Sequence, residues 1–257
     1  MNRILRPPRD PAADHTLPWF PSDAEPTADP RSPRRGRGWL ARVGRAVVKV
    51  FAAYYLFCVL LIVVYRFASP PVTGVQLQRR VEAMLAGRPY SPRQHTLPLA
   101  EMSPHVAKAV VAAEDGRFWT HHGYDLKEMG VAGRSAADGG RMRGASTITQ
   151  QLMKNLFGCA CRNPVRKVYD LALTPAAELI LGKHRILELY LAEVEWGDGI
   201  FGVDEAARRH FGVGAKQLSR SQAAALAALL PNPRLRTPAN TGEYRREILR
   251  RMRRSGG

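Results

Sequence analysis

Apolar and polar positions divide this chain into four stretches. From Met1 to about Arg45 neither a helical nor a strand period appears, and Pro, Arg, Asp and Ser dominate. Too little apolar surface is available there to offset the entropy of ordering, so residues 1–45 are expected to form a disordered basic tail. Lys49 and Arg66 then bracket an uncharged apolar run, VFAAYYLFCVLLIVVY, roughly 24 Å long as a helix at about 1.5 Å per residue. With Ala46 to Val48 added and the flanking cations snorkelling, the run matches a hydrocarbon core of ~30 Å. Residues 46–68 are therefore read as a transmembrane helix. A buried core helix seldom lacks polar residues over this length, and Arg66 sits where a cleaved signal peptide, hinted at by the Arg34-Arg35 pair, would carry small residues.

Residues 69–96 read as a linker and an amphipathic stretch. Pro70 and Pro71 block helix continuation, after which Leu77, Val81, Met84 and Leu85 recur at helical spacing. From residue 97 to about residue 250 the pattern is helical. Ser103-Pro104 supplies an N-cap followed by proline at the first helical position, and Val106, Ala109, Val110 and Ala113 form one apolar face. Similar periods run through Leu171 to Leu191, Val203 to Phe211 and Ser221 to Leu230. Alternating β-branched runs and internal repeats are missing, so the expected fold class is a mainly α domain behind one N-terminal transmembrane helix.

Charge orients that arrangement. Arg31, Arg34, Arg35, Arg37, Arg42, Arg45 and Lys49 crowd the N-terminal flank of the apolar run, while after Arg66 no charge appears before Arg79. The positive-inside rule then leaves the tail in the cytoplasm and exports the rest. The formal net charge of +17 favours a polyanionic partner: nucleic acid, an anionic membrane or a phosphorylated substrate. No nucleic-acid fold signature accompanies it, so nucleic acid is the least favoured of the three. Of the cysteines, Cys58 lies in the apolar run, and Cys159 and Cys161 are one residue apart, poor spacing for a structural disulfide.

Three clusters carry residues fit for chemistry. In AAEDGRFWTHHGYD, Ala112 to Asp125, Glu114 lies one turn after Val110 at the edge of the apolar face, where a carboxylate tends to have a raised pKa suited to a general base; Asp115 is rotated away. Taken alone, such a pair is more often a solvated helix end. His121 and His122 lack HxxxH or HxH partners, so no metal ligands are expected. In GASTITQQLMKNLF, Gly144 to Phe157, Thr147 stands near a helix N-terminus, with Gln151 and Lys154 on one face, a donor set for an anion. In CRNPVRKVYD, Cys161 to Asp170, the cations Arg162, Arg166 and Lys167 precede Asp170, a set able to hold pyrophosphate by charge-assisted bonds. Solvated ion pairs at i,i+4 are the plainer reading of Arg166 and Asp170.

In this order the clusters resemble the signature of the peptidoglycan glycosyltransferases of family 51, most closely the monofunctional biosynthetic transglycosylases. EDGRFWTHHGYD resembles ED-x-x-F-x-x-H-x-G-x-D, GASTITQQLMKN resembles G-x-S-T-x-T-Q-Q-x-x-K-N, and KHRILELYL and GIFGVDEAARRHFG resemble later segments. The resemblance implies a lysozyme-like helical fold outside the bacterial inner membrane, in the periplasm, with residues 97–250 as the glycosyltransferase domain. It implies lipid II and the growing glycan chain as substrates, and cell-wall synthases or division proteins as partners. Glu114 matches the base that deprotonates the acceptor 4-hydroxyl. Asp170 matches a second functional carboxylate, usually Glu. Asp115, Phe118, His121, Thr147, Gln151, Lys154, Arg162, Arg166 and Lys167 match substrate-binding positions.

No cofactor is obligatory on this reading, although a Mg²⁺ or Mn²⁺ ion between pyrophosphate and Asp170 is compatible with it. Ala192 replaces the family's usual Asn, and Gln222 stands where Glu is common. No S-x-x-K, S-x-N or K-T-G set occurs, so strand polymerisation without cross-linking is expected. Because of the Asp170 and Ala192 departures, the alternative is a non-catalytic membrane-anchored scaffold that binds lipid II. A lysozyme-like hydrolase fits less well, since a neutral glycosidic bond offers the cations no pyrophosphate.

Overall fold

A computed structural model describes residues 35–137, 146–161 and 164–254. Two compact units divide the chain, Met1–Lys49 and Val50–Gly257. What is described of the first is helix only, the opening part of α1, Arg35–Tyr65. That helix starts well before Ala46, so residues 35–45, expected to be disordered, continue it; once nucleated, a helix extends cheaply through Arg, Ala, Leu and Trp. The remainder of the tail lies outside the described residues. Within α1, Ala41–Tyr65 is long and apolar enough to cross a membrane, with a mean hydropathy of 2.6.

In the second unit one face of α1 is covered. Cys58, Ile62 and Tyr65 are buried at i, i+4 and i+7, Tyr54 donates to the Phe157 carbonyl at 2.9 Å, and Tyr65 stacks on Phe157. The following elements are α2, Gly74–Leu85, a two-residue strand β1, Arg93–Gln94, then α3, Pro104–Glu114, α4, Leu126–Ala137, and α5, Ile148–Phe157. Next come α6, Pro164–Glu193, the strands β2, Glu195–Gly197, and β3, Ile200–Phe201, and finally α7, Val203–Phe211, α8, Arg220–Ala227, and α9, Gly242–Arg254. The mainly α class expected from periodicity is what the chain adopts.

A small three-stranded sheet is added, β3 lying between β1, parallel, and β2, antiparallel. Strands of two or three residues are too short to show an alternating pattern, so periodicity passes over them.

Local chemistry sets the helix ends. The Ser103 hydroxyl accepts from the His105 amide ahead of Pro104, and Thr147 caps α5 by accepting from the Gln150 amide. Val106, Ala109 and Val110 of α3 are buried, as their spacing predicts, and Ala113 is half-buried. α3 packs on α8 and α9, where Ala223 to Ala228 allow close approach, and α5 packs along α6. α6 is interrupted at Gly182, whose φ of 72° and ψ of 163° leave helical geometry. Glycine accepts that conformation without a Cβ penalty. Cys159 and Cys161 are disulfide-linked, against the expectation from their spacing; the turn after α5 brings their Cα atoms to 5.1 Å, within the usual range for a bridge.

Candidate active site

Glu114 is the last residue of α3, and its carboxylate is held from one side only. Gln151 Nε2 donates to Glu114 Oε2 at 2.8 Å, and Gln151 Oε1 accepts from the Tyr190 hydroxyl at 2.9 Å. Glu114 Oε1 is buried with no hydrogen-bond partner among the described residues. Burial raises the pKa of this carboxyl; the Gln151 amide and the charges of Lys154 and Arg236 partly offset the rise. A half-buried carboxylate with a raised pKa and a free oxygen suits proton abstraction. Glu114 is therefore not a solvated helix end.

Asp115 does different work. Its Oδ2 accepts from the Ile148 amide at 3.0 Å, tying the end of α3 to the start of α5, and its Oδ1 faces His121 Nε2 at 2.8 Å. The Gly123 amide donates to His121 Nδ1, so the ring proton of neutral His121 sits on Nε2 and is given to Asp115. Asp125 is paired with Arg117 and also caps α4 through the Glu128 amide. Asp115, His121 and Asp125 have ligand atoms within 4.8 Å of one another. Each is already engaged by protein donors, so this triad is a brace for the Phe118–Asp125 turn and does not fit an ion. Phe118 is buried beneath Lys183, whose ammonium lies 4.4 Å from the ring centre. Asp115, Phe118 and His121, expected from the resemblance to contact substrate, make these internal contacts in the structure.

Thr147 is likewise buried, donating to the Gly123 carbonyl at 2.7 Å while capping α5. Gln151 has both amide ends taken, one by Glu114 and the other by Tyr190. Lys154 is different: one turn beyond Gln151, it is half-buried, its ammonium has no hydrogen bond or ion pair among the described residues, and it is coupled electrostatically to both Glu114 and Asp170. Burial, reinforced by Arg166, lowers its pKa.

The first half of α6 brings the remaining charges to the same neighbourhood. Arg166 Nη1 pairs with the buried Asp170 at 2.8 Å, leaving Arg166 Nε buried and unpartnered. Lys167 reaches Ser146 Oγ at 2.9 Å and Gln150 Oε1 at 3.1 Å, and burial lowers its pKa. Burial raises that of Asp170, against the pull of Arg166, Lys167 and Lys154. With three cations around it, Asp170 is a poor seat for a further cation, so a bridging Mg²⁺ or Mn²⁺ does not fit its present partners. Arg162 lies outside the described residues.

Glu114 opens onto a cleft of about 1050 Å³. One wall carries Asp125, Glu128, Ser146 and Thr147; the other is α9, with Tyr244, Glu247, Arg250, Arg251 and Arg254. The Tyr244 hydroxyl donates to the Ala113 carbonyl at 3.1 Å, fixing α9 beside Glu114. Sequence reasoning missed α9 as a cleft wall and Tyr190 as a partner of Gln151. A tyrosine inside the apolar ILELYL segment was the available signal, since a buried hydroxyl needs a partner.

Known proteins match this chain over most of its length. A family profile described as Transglycosylase matches residues 79–254. A protein of Pseudomonas fluorescens (strain Pf0-1), named biosynthetic peptidoglycan transglycosylase, is 44% identical over 186 residues, 72% of this chain and 78% of that protein. One of the same name from Chromohalobacter salexigens is 42% identical over 227 residues, covering 86% of this chain and 96% of the relative.

Proposed function

The chain belongs to the transglycosylase family and is a peptidoglycan glycosyltransferase, and from that premise we propose that it polymerises lipid II into glycan strands with Glu114 as general base. The carrying observation is the Glu114 carboxylate, held by Gln151 through one oxygen and free at the other, beside Lys154. In this reading the free oxygen takes the proton of the acceptor GlcNAc 4-hydroxyl as that oxygen attacks C1 of the donor MurNAc. The bond from C1 to the pyrophosphate oxygen breaks, and the electron pair leaves with undecaprenyl pyrophosphate. Attack opposite the leaving group inverts C1 and gives a β-1,4 link. Lys154, Arg166 and Lys167 stabilise the charge that grows on the leaving group.

Membrane attachment follows from the same substrate. A lipid-linked donor and acceptor stay at the bilayer surface, and Ala41–Tyr65 would hold the enzyme there, with the basic N-terminal flank cytoplasmic, the catalytic domain periplasmic and the bacterial inner membrane as the site. The proposal covers strand formation; no transpeptidase motif set occurs in this sequence.

Polymerisation of labelled lipid II, resolved on a gel, tests the proposal. Wild type gives ladders of glycan product and Glu114→Gln lowers the rate by a factor on the order of 10³, within the span of general-base effects and loss of the site's charge. Near wild-type product from Glu114→Gln would overturn the mechanism. Lipid II binding by wild type without product would instead support the scaffold alternative that Asp170 and Ala192 suggest.

A further inference from the structure

α2 presents an apolar face that nothing among the described residues covers. Val75, Gln76 and Ala83 point into the domain, whereas Leu77, Val81, Met84 and Leu85 are 54%, 42%, 70% and 79% exposed. Their spacing of i, i+4, i+7 and i+8 places all four on one stripe opposite the buried side. Single exposed leucines are ordinary, but a contiguous stripe marks an interaction surface.

The position of α2 indicates what covers it. Residues 66–73 alone connect it to the end of α1, a reach of less than about 30 Å even when fully extended. The start of α2 lies against the segment that grips α1: a Cβ on Gly74 would come 2.3 Å from the Gly158 carbonyl, and the adjacent Phe157 stacks on Tyr65 and accepts from Tyr54. Phe67 and Val72, in the connection, are also exposed, as are Arg80 and Arg88 at the margins of the stripe. An apolar stripe edged by arginines beside the end of a membrane helix has the make-up of a helix lying in the bilayer interface.

We propose that α2 is a second membrane contact, lying in the phospholipid interface with Leu77, Val81, Met84 and Leu85 among the upper acyl chains and Arg80 and Arg88 at the headgroup phosphates. This rests on the membrane-anchor reading of α1. Two attachment points limit the swing of the domain about a single anchor and keep the Glu114 cleft at a fixed height above the bilayer.

The test uses the full chain in nanodiscs of phosphatidylethanolamine and phosphatidylglycerol, with a photoreactive benzoylphenylalanine introduced in place of Leu85 or, separately, of Leu60 within α1. Mass spectrometry after illumination is expected to find phospholipid adducts at both positions in comparable yield. Lipid adducts at position 60 with none at 85 would overturn the proposal while leaving the anchor intact. A cross-link from position 85 to a second copy of this chain or to another protein would overturn it in favour of a protein partner. Adducts at neither position would remove the anchor reading, and this proposal with it.

Discussion

Gln151 can donate to Glu114 in only one orientation of its amide, and Tyr190 selects that orientation by donating to the other end. Burial raises the Tyr190 phenol well above its usual pKa, so its hydrogen stays in place and the carbonyl end of Gln151 faces it at all working pH values. The NH₂ end then always faces Glu114 and favours the ionised carboxylate. Tyr190→Phe frees the amide to turn, the carboxylate loses support and its pKa rises further. The acidic limb of the pH–rate profile of lipid II polymerisation therefore moves to higher pH, with a lower rate along that limb, about tenfold for each pKa unit of displacement, and a near-normal rate at high pH. A uniform drop across pH would show that Tyr190 supports only the fold.

Asp170 is buried beside the turn at Gly158. Its carboxylate pairs with Arg166, and a Cβ on Gly158 would lie 3.4 Å from Asp170 Oδ1 and 2.8 Å from the Lys154 carbonyl. An added methylene must push against this turn, and overpacking of this kind costs about 1–3 kcal/mol. Asp170→Glu, although it restores the family's usual residue, is expected to melt at lower temperature than wild type and to polymerise no faster. Asp170→Asn keeps the size but leaves Arg166 unpaired, and is expected to raise KM for lipid II. A gain in rate for Asp170→Glu would show that the shorter acid limits the enzyme.

How much of this was legible in the sequence depends on the range of the interaction. The α3 face, its Ser103 cap and the place of Glu114 at its end are local, and spacing alone recovers them. The i,i+3 relation of Gln151 and Lys154 is also local. Their division of labour is not, because it rests on partners 37 and 39 residues from Gln151, at Glu114 and Tyr190. Thr147, Asp115 and His121 carry the right chemistry for ligands, yet each closes a contact inside the protein that only the packed turn reveals. Tyr244 touches Ala113 across 131 residues, so α9 could not be placed beside the base from its own sequence. The stripe on α2 was visible as a period, but periodicity does not say whether an apolar face meets a core or a membrane.

The turn that follows Glu114 depends on Gly123. Its φ is 87°, and a Cβ there would come 2.4 Å from Thr174 Cγ2 and 3.0 Å from Glu178 Cγ. The same residue receives Thr147 and Gln150 on its carbonyl and donates to His121. Gly123→Ala combines a backbone conformation costing about 1–2 kcal/mol for an L-residue with a steric clash. A loss of at least about 2 kcal/mol in chemical denaturation is expected, with activity falling in parallel as the start of α5 shifts. A variant as stable as wild type would mean that the turn relaxes without disturbing its contacts.

Glu193 provides a pH prediction away from the cleft. It is fully buried, its Oε2 accepts from Gln94 at 2.8 Å, and its Oε1 has no partner among the described residues. Burial raises its pKa from 4.5 to about 7, with Gln94 and Arg185 opposing the rise. The folded state therefore holds this proton more tightly than the unfolded chain, and stability falls as pH rises from about 4.5 to about 7, levelling off above that. The displacement corresponds to about 3 kcal/mol. Glu193→Gln keeps an acceptor for Gln94 and removes the titration. The variant is expected to melt with wild type near pH 4.5 and progressively above it as the pH is raised, by several degrees at pH 8, a gain of about 2–4 °C per kcal/mol for a chain of this size. Melting curves of the two proteins that stay parallel from pH 4.5 to 8 would show that Glu193 is ionised in the fold at no cost.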